Sequence, residues 1–376
     1  MLARLPSSMA VLALQLAGLR ATGSIATGAT LAGVMILSGG VGGLFRGRSF
    51  DKREVRAQLQ LSCLAAGVTM IVLTLAVAED APLTILFVLS AFVGLALSGV
   101  PSGFRALLVV VVPDALLHRA HFFESTMYEV AFVLGPLLAS LLVVAVDVFA
   151  ALGAMALVLL ASAAMLGRLP RLHPHPETSG RRRLPHGLAI LCLAPLPVDL
   201  AFGLVESNIP ARMQPYGLPV SVAGIFLTCL SLGSCCGGIA VSLRPLRPRR
   251  SSYGAAAMLA IFAVLVIPGA LAPNAAAFAV CLLFTSPMLV PLNGLGMVEI
   301  ERRVGPDRRG TVFGVYLACA QIGGGMGAVV NGQLLRVVAP ASVPLVASAV
   351  FALTSLAAFA LGVRSRVVAR RVQAAK

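Results

Sequence analysis

The sequence contains no tryptophan, two lysines (Lys52 and Lys376) and 14 acidic residues against 29 basic ones. Charged residues make up 11% of the 376 positions, where a soluble domain carries about 25%. A water-soluble fold of this length could not cover its surface with so few charges. Basic runs interleaved with aromatics are also missing, so the net charge of +15 does not read as a nucleic-acid footprint. The seven cysteines (Cys63, Cys192, Cys229, Cys235, Cys236, Cys281 and Cys319) all fall inside apolar runs. They lack the paired spacing of a metal site. The five histidines lie in or beside polar loops, and His173 and His175 alone do not make a metal centre. No metal or cofactor is expected. No phosphate-binding glycine loop followed by Lys-Ser/Thr is present, which excludes ATP-driven work, and no Ser/His/Asp set argues for hydrolysis.

What the chain has in abundance is oil. Hydrophobic residues are 59% of the total. They gather in twelve runs: Leu2 to Leu19, Ile25 to Phe45, Leu59 to Ala78, Leu83 to Phe104, Phe122 to Val146, Phe149 to Leu166, Leu188 to Ile209, Val220 to Leu243, Tyr253 to Leu271, Ala275 to Val298, Thr311 to Leu335 and Val343 to Val363. A bilayer-spanning helix needs about 20 apolar residues. Barrel strands are half that length and alternate in polarity, whereas these runs are apolar on every face. A helix satisfies its own backbone in lipid, so the expected fold is an all-α integral membrane protein with twelve transmembrane helices. The first run has only 18 residues, near the lower limit for a span. That is the expectation for a first helix beginning upstream of Met1, and it would place Arg4 inside the membrane.

With the N-terminus in the cytoplasm, 26 of the 29 basic residues fall in cytoplasmic segments, and only Arg20, Arg212 and Arg336 face outward. This is the positive-inside pattern. It predicts a multi-pass protein of the cytoplasmic membrane with both termini cytoplasmic. Residues 168–186 hold Pro170, Pro174, Pro176, Gly180 and Arg181 to Arg183 and read as a linker. The expected domains are a six-helix bundle at 1–167, the linker at 168–186, a second six-helix bundle at 187–363 and a basic tail at 364–376. A weak repeat agrees: Gly42-Gly43 before Arg46 returns as Gly237-Gly238 before Arg244, 195 residues later. Parallel repeats of this kind occur in transporters.

The loop after the second run reads Gly47-Arg48-Ser49-Phe50-Asp51-Lys52-Arg53-Glu54-Val55-Arg56. It resembles the loop 2–3 signature of the major facilitator superfamily, with Gly47, Asp51, Lys52 and Arg56 matching and Glu54 standing where a second glycine usually sits. The fifth run keeps Gly135 and Pro136 of that family's exporter signature, with Ala131, Ala139 and Ser140 replacing three glycines. The resemblance implies two six-helix bundles related by pseudo-twofold parallel repeats, working by alternating access. It implies a conformational latch at Gly47, Asp51, Lys52 and Arg56, with Asp51 facing a helix N-terminus, and a packing kink at Gly135 and Pro136. It leans towards efflux.

Ionisable groups inside membrane helices are costly and mark function. Four acids qualify: Glu124 and Glu129 in the fifth run, Asp199 and Glu206 in the seventh. Asp199 and Glu206 are seven residues apart and share a helix face. Each is a candidate for a cationic substrate or a coupling proton. The alternatives are an ion pair of Glu124 with Arg119 or Arg105, and a place for Glu206 at the outer interface near Arg212. Gln15, Asn293, Gln321 and Asn331 are uncharged polar candidates, and Gly323 to Gly327 read as packing glycines. The leading expectation is a proton-coupled secondary transporter of a small-molecule substrate, monomeric in the lipid bilayer. Two readings compete: a membrane-embedded enzyme acting on lipids, for which the isolated Asp114 and Asp307 offer little, and a non-transporting homologue.

Overall fold

The computed structural model describes residues 4–50, 54–100, 103–104, 107, 112, 114–168, 186–243, 251–304 and 306–374; for 46–50, 114–115, 117–126, 128–129, 186–187, 242, 251–252, 301, 306–311 and 364–374 it describes the backbone alone. The described chain is a succession of α-helices joined by short turns. In order these are α1 (Leu5–Thr22), α2 (Ile25–Phe50), α3 (Val55–Ala78), α4 (Leu83–Leu97), α5 (Asp114–Ala145), α6 (Val148–Gly167), α7 (His186–Leu193), α8 (Pro195–Met213), α9 (Ala223–Leu243), α10 (Ser251–Leu271), α11 (Ala275–Thr285), α12 (Leu289–Arg303), α13 (Pro306–Leu334) and α14 (Val343–Ala374).

Each of the twelve apolar runs is mostly helical over its described residues. Nine helical stretches among the described residues are long and apolar enough to cross a membrane, while Leu83–Leu97 and Val130–Ala145 are shorter apolar helices. Two runs read as continuous are broken. The seventh splits into α7 and α8 at Ala194, because Pro195 and Pro197 supply no N–H to the preceding turn. The tenth passes through a 3₁₀ turn at Ser286–Met288 between α11 and α12, where Pro287 has the same effect. The helix ends have local causes. Gly23 closes α1 with a left-handed φ of 67° and donates its N–H to the Leu19 carbonyl at 2.8 Å, the conformation that suits glycine. Asp147 and Asn274 cap α6 and α11 by accepting from the N–H groups of Ala150 and Ala277, each at 2.8 Å.

The outward faces carry leucines and valines that no soluble protein would leave bare, such as Leu75 on α3 (58% exposed), Leu157 on α6 (69%) and Leu353 on α14 (66%). Within the first half of the chain, α1 packs on α2, α5 and α6, α2 on α4, and α3 on α4 and α6. Within the second half, α8 packs on α13 and α14, α9 on α11 and α12, and α10 on α14. The two halves meet chiefly along α2 with α13 and along α5 with α9, and α8 also touches α1 and α2.

Helices in lipid associate by close packing of small residues, and the seam is built that way. Along α2 and α13, Gly33 meets Val329 and Gly325, Gly325 meets Leu37, Gly40 meets Ile322 and Ala318, and Gly332 meets Ala26 and Thr30, each with too little room for a Cβ. Along α5 and α9, Gly224 lies under the Pro136 carbonyl and Ser140. Ser140 donates to the Ser221 carbonyl, Thr228 to Val133 at 3.1 Å and Ser231 to Phe132 at 3.3 Å. Gly135 takes Ser8 of α1 against its bare Cα, and Ser8 donates to the Ala131 carbonyl at 2.7 Å. The small residues of the fifth run therefore seat α5 on both α1 and α9.

Candidate functional site

The acids of the seventh run sit on α8, and α13 determines where they face. Gly323 lies on Leu196, Gly324 on Gly203 and Gly327 on Leu200 and Leu204, all in backbone contact; the position a Gly324 Cβ would take is 3.8 Å from the Asp199 carbonyl. These contacts occupy one side of α8. Asn208, which donates to the Pro340 carbonyl at 2.9 Å, points to another side, towards the link between α13 and α14. Asp199 and Glu206, about 20° apart around the helix axis, lie on a third side, claimed by neither. Both are half-buried, and they lie within Coulombic reach of each other. Asp199 Oδ2 is buried with no hydrogen-bond partner.

The same contacts fix depth. Gly327 opposes Leu200 and Leu204, so Asn331, one turn on, stands level with Glu206. It lies on the α8-facing stripe of α13 defined by Gly323, Gly324 and Gly327. Gly332 meets Ala26 and Thr30 of α2, and Gly28 of α2 meets Gln15 of α1, which brings Gln15 to that level too. On α1, Gln15 lies between the Ser8 side, which faces α5, and the Gly18 side, which faces Gly28 of α2. Since α2 and α5 are the helices that touch the second half, Gln15 stands on the side of α1 turned towards it. Gln15 is 1% exposed and Asn331 0% exposed, and in each the amide nitrogen and oxygen are both buried without a hydrogen-bond partner. Buried polar atoms are normally paired, so four orphans on two amides call for an explanation.

Below this level Tyr316 of α13 extends the site. It is 4% exposed, its hydroxyl packs against Gly296 of α12, and it lies within Coulombic reach of Asp199 and Cys192. Tyr316 was not singled out from sequence; a lone tyrosine in an apolar run with so few aromatics was the available signal. Of the other expected groups, Gln321 is exposed, with its Oε1 3.8 Å from where a Cβ on Gly39 would sit, and Asn293 is half-buried on α12. Neither joins the level of Gln15 and Asn331. Glu124 and Glu129 lie on α5, but their side chains fall outside the described residues; Gly47 lies in the last turn of α2, where the backbone alone is described. Asp51 and Lys52 lie outside them altogether. Arg56 is in the first turn of α3, with its Nε 4.0 Å from Glu54 Oε1. Glu54 itself has φ of −55°, so the missing glycine costs this turn nothing.

Two arginines are buried. Arg4 is 5% exposed. Arg212, at the end of α8, is 3% exposed. Its guanidinium donates to the Tyr216 hydroxyl and to the carbonyls of Gly269 at 3.2 Å and Ala270 at 3.4 Å. It also stacks 5.1 Å from the Tyr216 ring centre and 5.2 Å from that of Phe278. The reason is proximity to the end of α10, whose last carbonyls need donors and whose dipole favours a cation.

A family model described as Major Facilitator Superfamily matches residues 1–328. No curated protein matches the chain. Among solved structures, that of the nucleoside transporter NupG is 13% identical with a TM-score of 0.70, the match covering 96% of each chain. That of the D-xylose-proton symporter is 12% identical with a TM-score of 0.69, covering 95% of each. At such identities the likeness shows the fold alone. The glycine-packed all-helical architecture and the family match over most of its length make one statement: this chain is a membrane transporter, not an enzyme, and belongs to the major facilitator superfamily.

Proposed function

We propose that the chain is a proton-coupled secondary transporter that exports a small solute across the cytoplasmic membrane by alternating access. Asp199 and Glu206, with Glu129 and Glu124 on α5, are its proton and substrate groups. The observation that carries this reading is that the orphaned amides of Gln15 on α1 and Asn331 on α13 lie at the depth of Glu206, on whose helix Asp199 also stands with an unpartnered Oδ2. Buried polar groups without protein partners are the usual mark of a ligand position, and membrane-embedded carboxyls the usual mark of a proton path. The division into bundles at 1–167 and 187–363 around the 168–186 linker supports rocking of one half against the other, with both termini cytoplasmic. The latch of Gly47, Asp51, Lys52 and Arg56 belongs to the same scheme. Export is supported by the way Gly135, Pro136, Ala139 and Ser140 keep the small-residue character of the fifth-helix signature.

The test is reconstitution of the purified chain in sealed vesicles under an imposed pH gradient. Proton-driven solute flux should fall by at least about tenfold, equivalent to 1.4 kcal/mol, in Asp199→Asn and in Glu206→Gln. Normal gradient-driven flux in both variants would sink the assignment.

A further inference from the structure

Between α3 and α6 the lipid side of the first half holds a groove of about 280 Å3 that the chain itself leaves open. Ile71, Thr74 and Leu75 line it on α3, and Gly153, Ala156 and Leu157 on α6. A Cβ on Gly153 would meet nothing within 4 Å, while Ala156, 2% exposed, forms the floor. Thr74 donates its hydroxyl to the Met70 carbonyl at 2.7 Å, so the lining is apolar throughout. Both helices are long and apolar enough to cross a membrane, so hydrocarbon surrounds the opening. In that medium a recess is filled by whatever chain fits it, through dispersion contacts rather than exclusion of water.

The groove has a closed end and an open one. Gly67 seats against Leu159 and Leu160, and the groove stops there. From that contact it takes higher numbers in α3 and lower ones in α6, so the two helices run antiparallel. Eleven residues past Gly67, α3 ends at Ala78; eleven before Leu160 stands Phe149, in the first turn of α6. The open end therefore leads to the turns that hold Glu79, Asp80 and Asp147. All three side chains are exposed, and no ion pair joins them to a basic group among the described residues. The basic group at this end of the first half is Arg20, exposed in the last turn of α1, which packs on α6.

We propose that this groove seats one acyl chain of a phospholipid whose headgroup carries a primary ammonium, the tail lying along Gly153 and the ammonium meeting Glu79, Asp80 and Asp147. Under the topology proposed above, this lipid belongs to the outer leaflet. Exposed ion pairs are weak singly, but a tail held in the groove keeps the head beside all three carboxylates, and the ammonium N–H groups make charge-assisted hydrogen bonds to them. An anionic head would meet three like charges. A second copy of the chain is disfavoured for the same reason, since a two-fold pairing of this face brings the acids of both copies together.

The experiment strips the full chain of lipid in detergent and titrates it with dioleoyl phosphatidylethanolamine or dioleoyl phosphatidylglycerol, counting bound lipid by native mass spectrometry. One ethanolamine lipid per chain should be retained at least about threefold better than the glycerol lipid. The triple variant Glu79→Gln, Asp80→Asn, Asp147→Asn should remove that preference. Asparagine suits the φ of 50° at residue 80 and caps a helix as aspartate does, so the variant removes charge and keeps both turns. Gly153→Leu should fill the groove and lower retention of the ethanolamine lipid by about threefold or more, with the thermal unfolding transition intact. Equal retention of the two lipids by the native chain, or an unchanged preference in the triple variant, overturns the headgroup assignment. Undiminished retention in folded Gly153→Leu, or a native dimer that this substitution splits, overturns the groove as a lipid seat.

Discussion

Arg212 closes α8 from a buried position. In the fold it is caged by two carbonyls and two rings, which anchors the end of α8 to the last turn of α10. Arg212→Met should lower stability by about 2–4 kcal/mol, since it strands buried carbonyls and removes two cation–π contacts. Arg212→Lys should restore part of this, because a point charge reproduces the ring contact better than the forked hydrogen bonds. The shift in thermal unfolding midpoint in detergent measures both. At this scale the sequence was informative about which groups are anomalous. Asp199, Glu206, Gln15 and Asn331 stand out as polar letters in oily runs. It was silent about which of them converge, because that depends on the rotation of α8, α13 and α1, which packing decides. Gln321 and Asn293 look equivalent to Asn331 in the sequence, yet they lie elsewhere.

Among the elements, α13 is held by glycine contacts on two faces. One of its faces meets α2 through Gly325 and Gly332, and another meets α8 through Gly323, Gly324 and Gly327. Gly327→Val should therefore prevent α8 from closing on α13 and sharply reduce folded protein in the membrane. Gly153→Ala on α6, where a Cβ meets nothing within 4 Å, should be neutral or stabilising by up to about 1 kcal/mol. Yield of monodisperse protein on size exclusion distinguishes the two. The glycine run of α13 was legible as packing from its density alone. The breaks at Ala194 and at Ser286–Met288 were not, although the prolines were in view, because neighbouring helices often re-satisfy a proline's freed carbonyls within a continuous span.

For the whole molecule, the apolar runs and the arginine asymmetry made the all-helical membrane fold readable before any coordinates, and the loop 2–3 spacing named the family. The interface between halves was not readable, since nothing in a run of apolar residues says which neighbour it faces. That interface supplies a test of rocking. A Cβ on Gly43 would lie 3.7 Å from that of Ala318, a separation suited to a disulfide. In a background without the seven native cysteines, Gly43→Cys with Ala318→Cys should cross-link on oxidation and reduce flux by about tenfold or more. A reductant should restore it, with vesicle flux and gel mobility read together. The double face of α13 also bears on how the chain is assembled. Its stretch Val312–Leu334 is the least apolar of the nine candidate spans, and its glycines leave much of its backbone without side-chain cover. Its seat in the fold is formed by α2 and α8, and we expect it to enter lipid less readily by itself than the other spans and to be held once both helices are there to receive it. The maturation of this transporter therefore turns on its eleventh apolar run, and truncations that remove either receiving helix should leave that run stranded outside the bilayer and open to proteolysis.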